Sequence, residues 1–313
     1  SSLFVCTETE SSATFVLKMS PAWGISEQVT SIEQLQHTKE MWVGRRSRGE
    51  GGGMGCLVPY TWKSSVQNMT GEFLHVMEYL DGMVAGDQLS DLSLKQSLQA
   101  VGEIAKLHAF FWDRCPTDWN TSFDTLKYGR RIVAVLGKHY FNIQKGATTQ
   151  FRFDPFMMGP LEHFLFSGPT TIVHGDLRSA NVMFPANNGA KTARCCIIDW
   201  GGMMRGKGVF DVAYLLGTGM SEESRRLHEL PILQHYYSEL DANGANLMNY
   251  SFNELVRDYR ICLWLTAALY AIPEIYDRGT LSEENETAAE QVRAQLRHNL
   301  QPILNEDVVY QKM

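Results

Sequence analysis

Several classes of protein are excluded by what this chain lacks. Its six cysteines, Cys6, Cys56, Cys115, Cys195, Cys196 and Cys262, form no C-x-x-C pair, so no zinc or redox motif is spelled out and reduced thiols are expected. A basic surplus is missing: Lys and Arg number 28 against 35 Asp and Glu, a net charge of −7. A general nucleic-acid binder needs the opposite balance to neutralise phosphates. This acidity leans toward a neutral or cationic small partner. No apolar run spans a bilayer. The longest, Ile261–Ile272, follows Arg260 and stops at Pro273, and reads as a buried helix. There is no G-K-[ST], hence no P-loop, and the glycines of Gly49–Gly55 miss the G-x-G-x-x-G register. The start has neither a basic segment nor a long apolar one, so no signal peptide is read. A cytoplasmic protein without membrane, nucleic-acid or obligate protein partner is expected. The chain opens without Met, already in a strand-like run, which fits a fragment.

What is present is an ordinary globular composition, 44% hydrophobic and 20% charged over 313 residues, enough for a sizeable core in one domain or two lobes. Leu3–Thr7 and Thr14–Met19 are β-prone runs joined by polar residues, a hairpin signal. Ile32–Val43 reads as helix, Arg45–Gly55 as a loop and Glu72–Leu80 as a strand ending at Asp81-Gly82. Beyond this, helices dominate. Ser93-Leu-Lys-Gln96 and Ser251-Phe-Asn-Glu254 are capping boxes. The first opens a helix with an apolar face through Leu94, Leu98, Val101, Ala105, His108 and Trp112. Thr171–Val173, Val182–Phe184 and Ala193–Asp199 form a short β region between the helices. The split falls near residue 81: residues 1–81 as a small mixed lobe with its hinge at 77–81, residues 82–313 as a helical lobe.

The chemistry is concentrated in His174-Gly-Asp-Leu-Arg-Ser-Ala-Asn181 and Ile197-Ile-Asp-Trp-Gly201. Phosphoryl transfer to an alcohol needs a carboxylate to orient the hydroxyl and accept its proton, and oxygen ligands for the metal of the triphosphate. The D-x-x-x-x-N spacing offers Asp176 as base and Asn181 as metal ligand. Asp199, after a strand, stands where a second metal-binding Asp belongs. Upstream, Phe15-Val-Leu-Lys18 ends a strand in a lysine suited to phosphate. Glu40 is the expected acidic partner of Lys18, with Glu33 as competitor. Val76-Met-Glu-Tyr-Leu80 fits the segment joining two lobes, where the Glu78 carbonyl and Leu80 amide would meet an adenine edge. Only 12 residues separate Asp199 from Asp211. That leaves no activation segment of the protein-kinase kind, so a small acceptor is expected.

These motifs, with Phe210-Asp-Val-Ala-Tyr-Leu-Leu216, resemble the aminoglycoside phosphotransferase and choline-kinase-like superfamily. Gly86-Asp-Gln-Leu89, Ala105-Lys-Leu-His-Ala109 and His235-Tyr-Tyr237 are similar to its ecdysteroid-kinase-like branch. The resemblance implies an α+β, protein-kinase-like two-lobed fold with a small antiparallel N-terminal sheet and a mainly helical C-terminal lobe. It implies ATP and Mg²⁺ as cofactors and a small-molecule hydroxyl as acceptor. It implies Asp176 as base, Asn181 and Asp199 as metal ligands and Lys18 on phosphate. Asp211 and His174 would brace the loop. His108 is expected to be a hydrogen-bonded core histidine. A catalytically impaired nucleotide-binding module of the same fold is the alternative. Two departures stand out. The phosphate-covering first hairpin, and with it the first strand, is expected to be shortened or missing. Arg178 inside the loop contacts acceptor or phosphate, or faces solvent.

Overall fold

The computed structural model describes residues 2–8, 13–19, 39–40, 42–43, 55–66, 73–115, 163–164, 167–186, 194–270 and 283–304. Glu33, most of the Ile32–Val43 segment and residues 45–54 lie outside them; Lys39, Glu40, Trp42 and Val43 are helical.

The N-terminal part is a four-stranded antiparallel sheet of β1 (Ser2–Thr7), β2 (Thr14–Met19), β3 (Thr61–Val66) and β4 (Phe73–Glu78), in the order β1-β2-β4-β3. The hairpin register closes at Thr7↔Thr14, while Leu3 pairs with Lys18 at the other end. The Thr7–Thr14 end of the hairpin is therefore the end away from the lysine. Alternation along β2 leaves Lys18 as its one buried side chain, opposite the buried His75 of β4. β3 has no counterpart in the sequence reading. Its Thr-Trp-Lys-Ser-Ser-Val run alternates too weakly to declare itself, and pairing with β4 makes it a strand.

After a turn at Asp81-Gly82, β5 (Met83–Ala85) pairs with β7 (Val182–Pro185), which pairs with β8 (Cys196–Ile197). β6 (Thr171–Val173) pairs with β9 (Met204–Gly206). The strand read over Ala193–Asp199 is shorter than expected. Only two residues pair, because the chain must turn at Asp199. β5 and β9 are three-residue strands that no periodicity announces.

Five helices carry the rest of the described structure: α1 (Leu94–Phe110), α2 (Val209–Gly219), α3 (Glu222–Ala242), α4 (Phe252–Tyr270) and α5 (Glu283–Leu304). Ser93 and Gln96 form the reciprocal cap of α1. Ser251 and Glu254 do the same before α4, the Glu254 carboxylate accepting the Ser251 amide at 2.7 Å. Every residue of α2 is buried, so this helix is the core around which the others pack. Each of its larger apolar side chains contributes about 1.5–3 kcal/mol by leaving water. The expected face of α1 is buried at Val101, Ala105, His108 and Trp112, with Leu94 and Leu98 packed at its margin. No helix among the described residues is long and apolar enough to cross a membrane.

The sheet is clamped onto the helical part through Glu103. Its carboxylate accepts the Leu57 amide at 3.0 Å and two bonds from Arg194, at 2.7 and 2.6 Å, and pairs with Lys106 at 2.9 Å. Burial alone would raise the Glu103 carboxyl; Arg194, Lys106 and the amide outweigh it and hold it below its ordinary range. Arg194 also reaches the Gly55 carbonyl, and the Ile197 amide donates to Leu57 O at 3.0 Å.

Candidate active site

The loop 174–181 is held from beneath by one buried carboxylate. Asp211, in the first turn of α2, accepts the His174 amide at 2.6 Å and the Gly175 amide at 3.0 Å. It also bonds Nε2 of His108 at 3.1 Å. The His108 Nδ1 lies 2.8 Å from the Tyr236 hydroxyl. Burial, with Asp211 second, pushes the Tyr236 phenol far above its ordinary value. The Asp211 carboxylate takes the Nε2 proton of His108, which leaves Nδ1 to accept from the Tyr236 hydroxyl. Tyr236, His108 and Asp211 are wholly buried, so the loop rests on a chain of satisfied bonds. Tyr236 of His-Tyr-Tyr and His108 of Leu-His-Ala are the two members of this chain that those motifs supply.

Gly175 supplies what no other residue could. Its φ is +81°, and a Cβ there would meet the Gly202 carbonyl oxygen at 2.4 Å. The loop and the turn after Asp199 are thus pressed together. His174 locks the same contact: its Nδ1 accepts the Asp176 amide at 3.2 Å, so its Nε2 donates to Ile198 O at 2.9 Å. Asp199 itself has φ 63° and ψ 61°. This left-handed conformation costs an L-residue about 1–2 kcal/mol. It is held by the His174–Ile198 bond and by Trp200 Nε1 donating to Ile197 O at 3.0 Å.

Gly86-Asp-Gln-Leu braces the far end of the loop. The Gly86 amide donates to Val182 O at 2.9 Å. Ser179 Oγ sits 3.1 Å from both Asp87 O and Gln88 Oε1, and Gln88 Nε2 donates to Thr218 O at 3.0 Å.

Asp176 is engaged on both oxygens. Tyr214 donates its hydroxyl proton to Oδ1 at 2.9 Å, and Asn181 Nδ2 donates to Oδ2 at 3.2 Å and to the Asp176 carbonyl at 2.8 Å. The Tyr214 and Tyr270 hydroxyls are 2.6 Å apart. Because Tyr214 spends its only proton on Asp176, Tyr270 is the donor of that bond. Neither tyrosine was singled out by the sequence. Tyr214 sits inside the Phe-Asp-Val-Ala-Tyr-Leu-Leu motif, while Tyr270 lies 56 residues further on and arrives only through the packing of α4 on α2.

Lys18 lies across the cleft. Its Nζ donates to both Glu40 oxygens at 2.8 Å and contacts Asp199 Oδ1 at 3.2 Å. Burial would lower the Lys18 pKa; the two carboxylates outweigh it and hold the ammonium above its ordinary value. Lys18 and Glu40 are buried, while the Asp199 side chain is 47% exposed and open to a ligand. Both Nδ2 bonds of Asn181 go to Asp176 oxygens, which fixes the amide orientation and turns Oδ1 elsewhere. Asn181 O accepts the Ile198 amide at 3.0 Å, so Asn181 stands one residue from Asp199 across the strand pair. No group of three His, Cys, Asp or Glu among the described residues could hold a metal alone. A pair of hard oxygens completed by phosphate suits Mg²⁺.

At the junction, the Glu78 amide donates to Tyr60 O at 2.8 Å and its carboxylate accepts the Tyr60 amide at 3.1 Å. The Leu80 carbonyl accepts the Met83 amide at 3.2 Å. All six cysteines are free thiols, and burial pushes Cys195 up to about 12 and Cys115 up to about 11, which makes them poor nucleophiles.

Set against known proteins, the fold is that of the aminoglycoside phosphotransferases and choline/ethanolamine kinases. A Ralstonia eutropha protein described as an aminoglycoside phosphotransferase matches with a TM-score of 0.51 and 15% identity, over 97% of this chain and 93% of its own. The Plasmodium vivax ethanolamine kinase matches with a TM-score of 0.53 and 12% identity, over 96% and 80%. An uncharacterized kinase-like protein of Caenorhabditis elegans is 30% identical over 92 residues, 29% of this chain and 23% of that protein. The match thus spans about a quarter of that relative's length. A family model described as "uncharacterized oxidoreductase dhs-27" matches residues 163–312. That segment contains no G-x-G-x-x-G run, and its described strand pairs are antiparallel, unlike a parallel dinucleotide-binding sheet.

Proposed function

We propose that this protein is a small-molecule kinase that transfers the γ-phosphoryl group of ATP to a hydroxyl of a metabolite. The observation that carries this reading is that Lys18 bonds both Glu40 and Asp199, while Asp199 follows the strand paired beside Asn181, whose amide bonds Asp176. In this reading residues 1–81 form the nucleotide lobe, and the Glu78 carbonyl and Leu80 amide take the adenine edge. Lys18, oriented by Glu40, holds phosphate oxygens. Asn181 and Asp199 hold Mg²⁺, which supplies charge neutralisation on the triphosphate. Asp176 accepts the acceptor's hydroxyl proton as the acceptor oxygen bonds the γ-phosphorus and the bond to ADP breaks. The tyrosine bond to Oδ1 and the Asn181 bond to Oδ2 fix the carboxylate, so its role is orientation more than basicity. Glycine at 175 and the short interval before α2 leave a small molecule, not a protein, as acceptor. A reducing, cytoplasmic setting suits the free thiols.

The test is a metabolite screen for ATP consumption with Mg²⁺, with mass spectrometry for one added phosphate. Phosphorylated product from the wild-type chain and none from Asp176→Ala supports the reading. Nucleotide binding with no transfer to any acceptor would mark an impaired module instead.

A further inference from the structure

We propose that Arg178 makes the acceptor side of this cleft selective for an anionic alcohol, a hydroxyl compound carrying a carboxylate or a phosphate or sulfate ester near the reacting oxygen. The inference rests on the kinase reading above and gives its acceptor a charge.

Arg178 sits two residues after Asp176, at the entry to the one-turn 3₁₀ helix Ser179–Asn181, with its amide on Asp176 O at 3.0 Å. Its Nε lies 3.6 Å from Asp176 Oδ2. That distance is too long for a hydrogen bond. Nor does Asp176 need the donor, since Tyr214 serves Oδ1 and Asn181 serves Oδ2. Nε is nevertheless buried, and no described residue accepts from it. The ion pair with Asp176 offsets the charge of this partly exposed side chain, but the buried Nε proton still lacks a hydrogen-bond acceptor, which costs stability unless something else supplies an oxygen. The groups set around this guanidinium are Asp176, Tyr270, Tyr214 and Asp199. Two of these are helical-lobe tyrosines, whereas Lys18 meets Glu40 and Asp199. Arg178 therefore faces the base and the tyrosine pair.

An acceptor hydroxyl bound at Asp176 has this guanidinium beside it. A cationic group there is repelled. An oxyanion bound beside the base meets the exposed part of this side chain, which is 36% exposed, in the forked geometry a guanidinium presents. The net charge of −7 leans the other way, toward a neutral or cationic partner, but selectivity is set by the nearest fixed charge and not by the total.

The full chain, as wild type, Arg178→Ala and Arg178→Glu, is assayed with MgATP. The acceptors are matched sets of hydroxy acids and phosphorylated alcohols, neutral polyols and sterols, and amino alcohols. The anionic set is expected to give the highest wild-type kcat/KM. Arg178→Ala lowers it by about 30-fold or more, mainly in KM, and collapses the anionic-to-neutral ratio. Arg178→Glu moves the preference toward amino alcohols. An amino alcohol as the best wild-type acceptor overturns the proposal. So does an equal loss for anionic and neutral acceptors, which would assign Arg178 to the transferring phosphoryl group. Thermal shift with glycerate, glycerol 3-phosphate, glycerol and choline reads binding without turnover. Stabilisation by the anionic probes in wild type only supports the proposal, and their failure to stabilise overturns it. Anion binding without ATP turnover sinks the kinase reading alone; turnover without anion preference sinks this inference alone.

Discussion

Two parts of the candidate site are built by different physics. The loop that carries Asp176 rests on backbone amides bound to a buried carboxylate, itself held by His108 and Tyr236. Those bonds are internal and owe nothing to a ligand. The Lys18 side is an ion triad, Lys18 with Glu40 and Asp199, of which Asp199 is half exposed. Its contacts are charges that a phosphate can join or replace. Under the proposed function, the base would be preorganised and the phosphate side left exchangeable.

The largest expected effect separates chemistry from scaffold. Asp176→Ala should lower turnover about 10²–10⁴-fold, with nucleotide affinity retained, as read by a coupled ATPase assay beside calorimetric nucleotide titration. Near-wild-type turnover would remove Asp176 from the base role. Next comes the scaffold itself. Asp211→Ala leaves two amides and His108 without their acceptor, and should cost about 3–5 kcal/mol in urea denaturation. If stability holds, the loop is not fixed from beneath and the contrast fails.

The third prediction sharpens the ion side. Lys18→Met removes the ammonium from which both buried Glu40 oxygens accept and should cost about 1–3 kcal/mol, with a raised KM for ATP. The double variant Lys18→Met with Glu40→Leu should regain that stability without regaining activity, because a buried ion pair is replaceable by apolar packing. Recovery of both would make the triad structural only. The smallest effect is a control remote from both sides. Ser93→Ala removes the α1 cap and should cost about 1 kcal/mol in thermal melts, with turnover unchanged.

Much of this was legible in the chain because it is local. A glycine flanked by His and Asp, a carboxylate and an amide five apart, and a serine three before a glutamine are spacings that backbone geometry alone converts into loops and caps. Glu40 was preferred over Glu33, and Lys18 meets Glu40. The roles proposed for Asn181, Asp199, Glu78 and Leu80 are likewise spacing arguments. β3, β5 and β9 were illegible because short strands take their identity from the partner they pair with and carry little pattern of their own.

The sequence by itself determined the two-part architecture, the catalytic-loop motif and the positions that must be glycine or capping residues, since each depends on neighbours within a few bonds. Only the tertiary structure decided which distant side chains share a cavity. It placed Tyr270 on Tyr214 and so on Asp176, stacked Tyr236 and His108 beneath Asp211, and left the Arg178 Nε buried beside the base without an acceptor. Helix crossing sets those meetings, and the burial that ranks charges and orphan donors exists only once the core has closed.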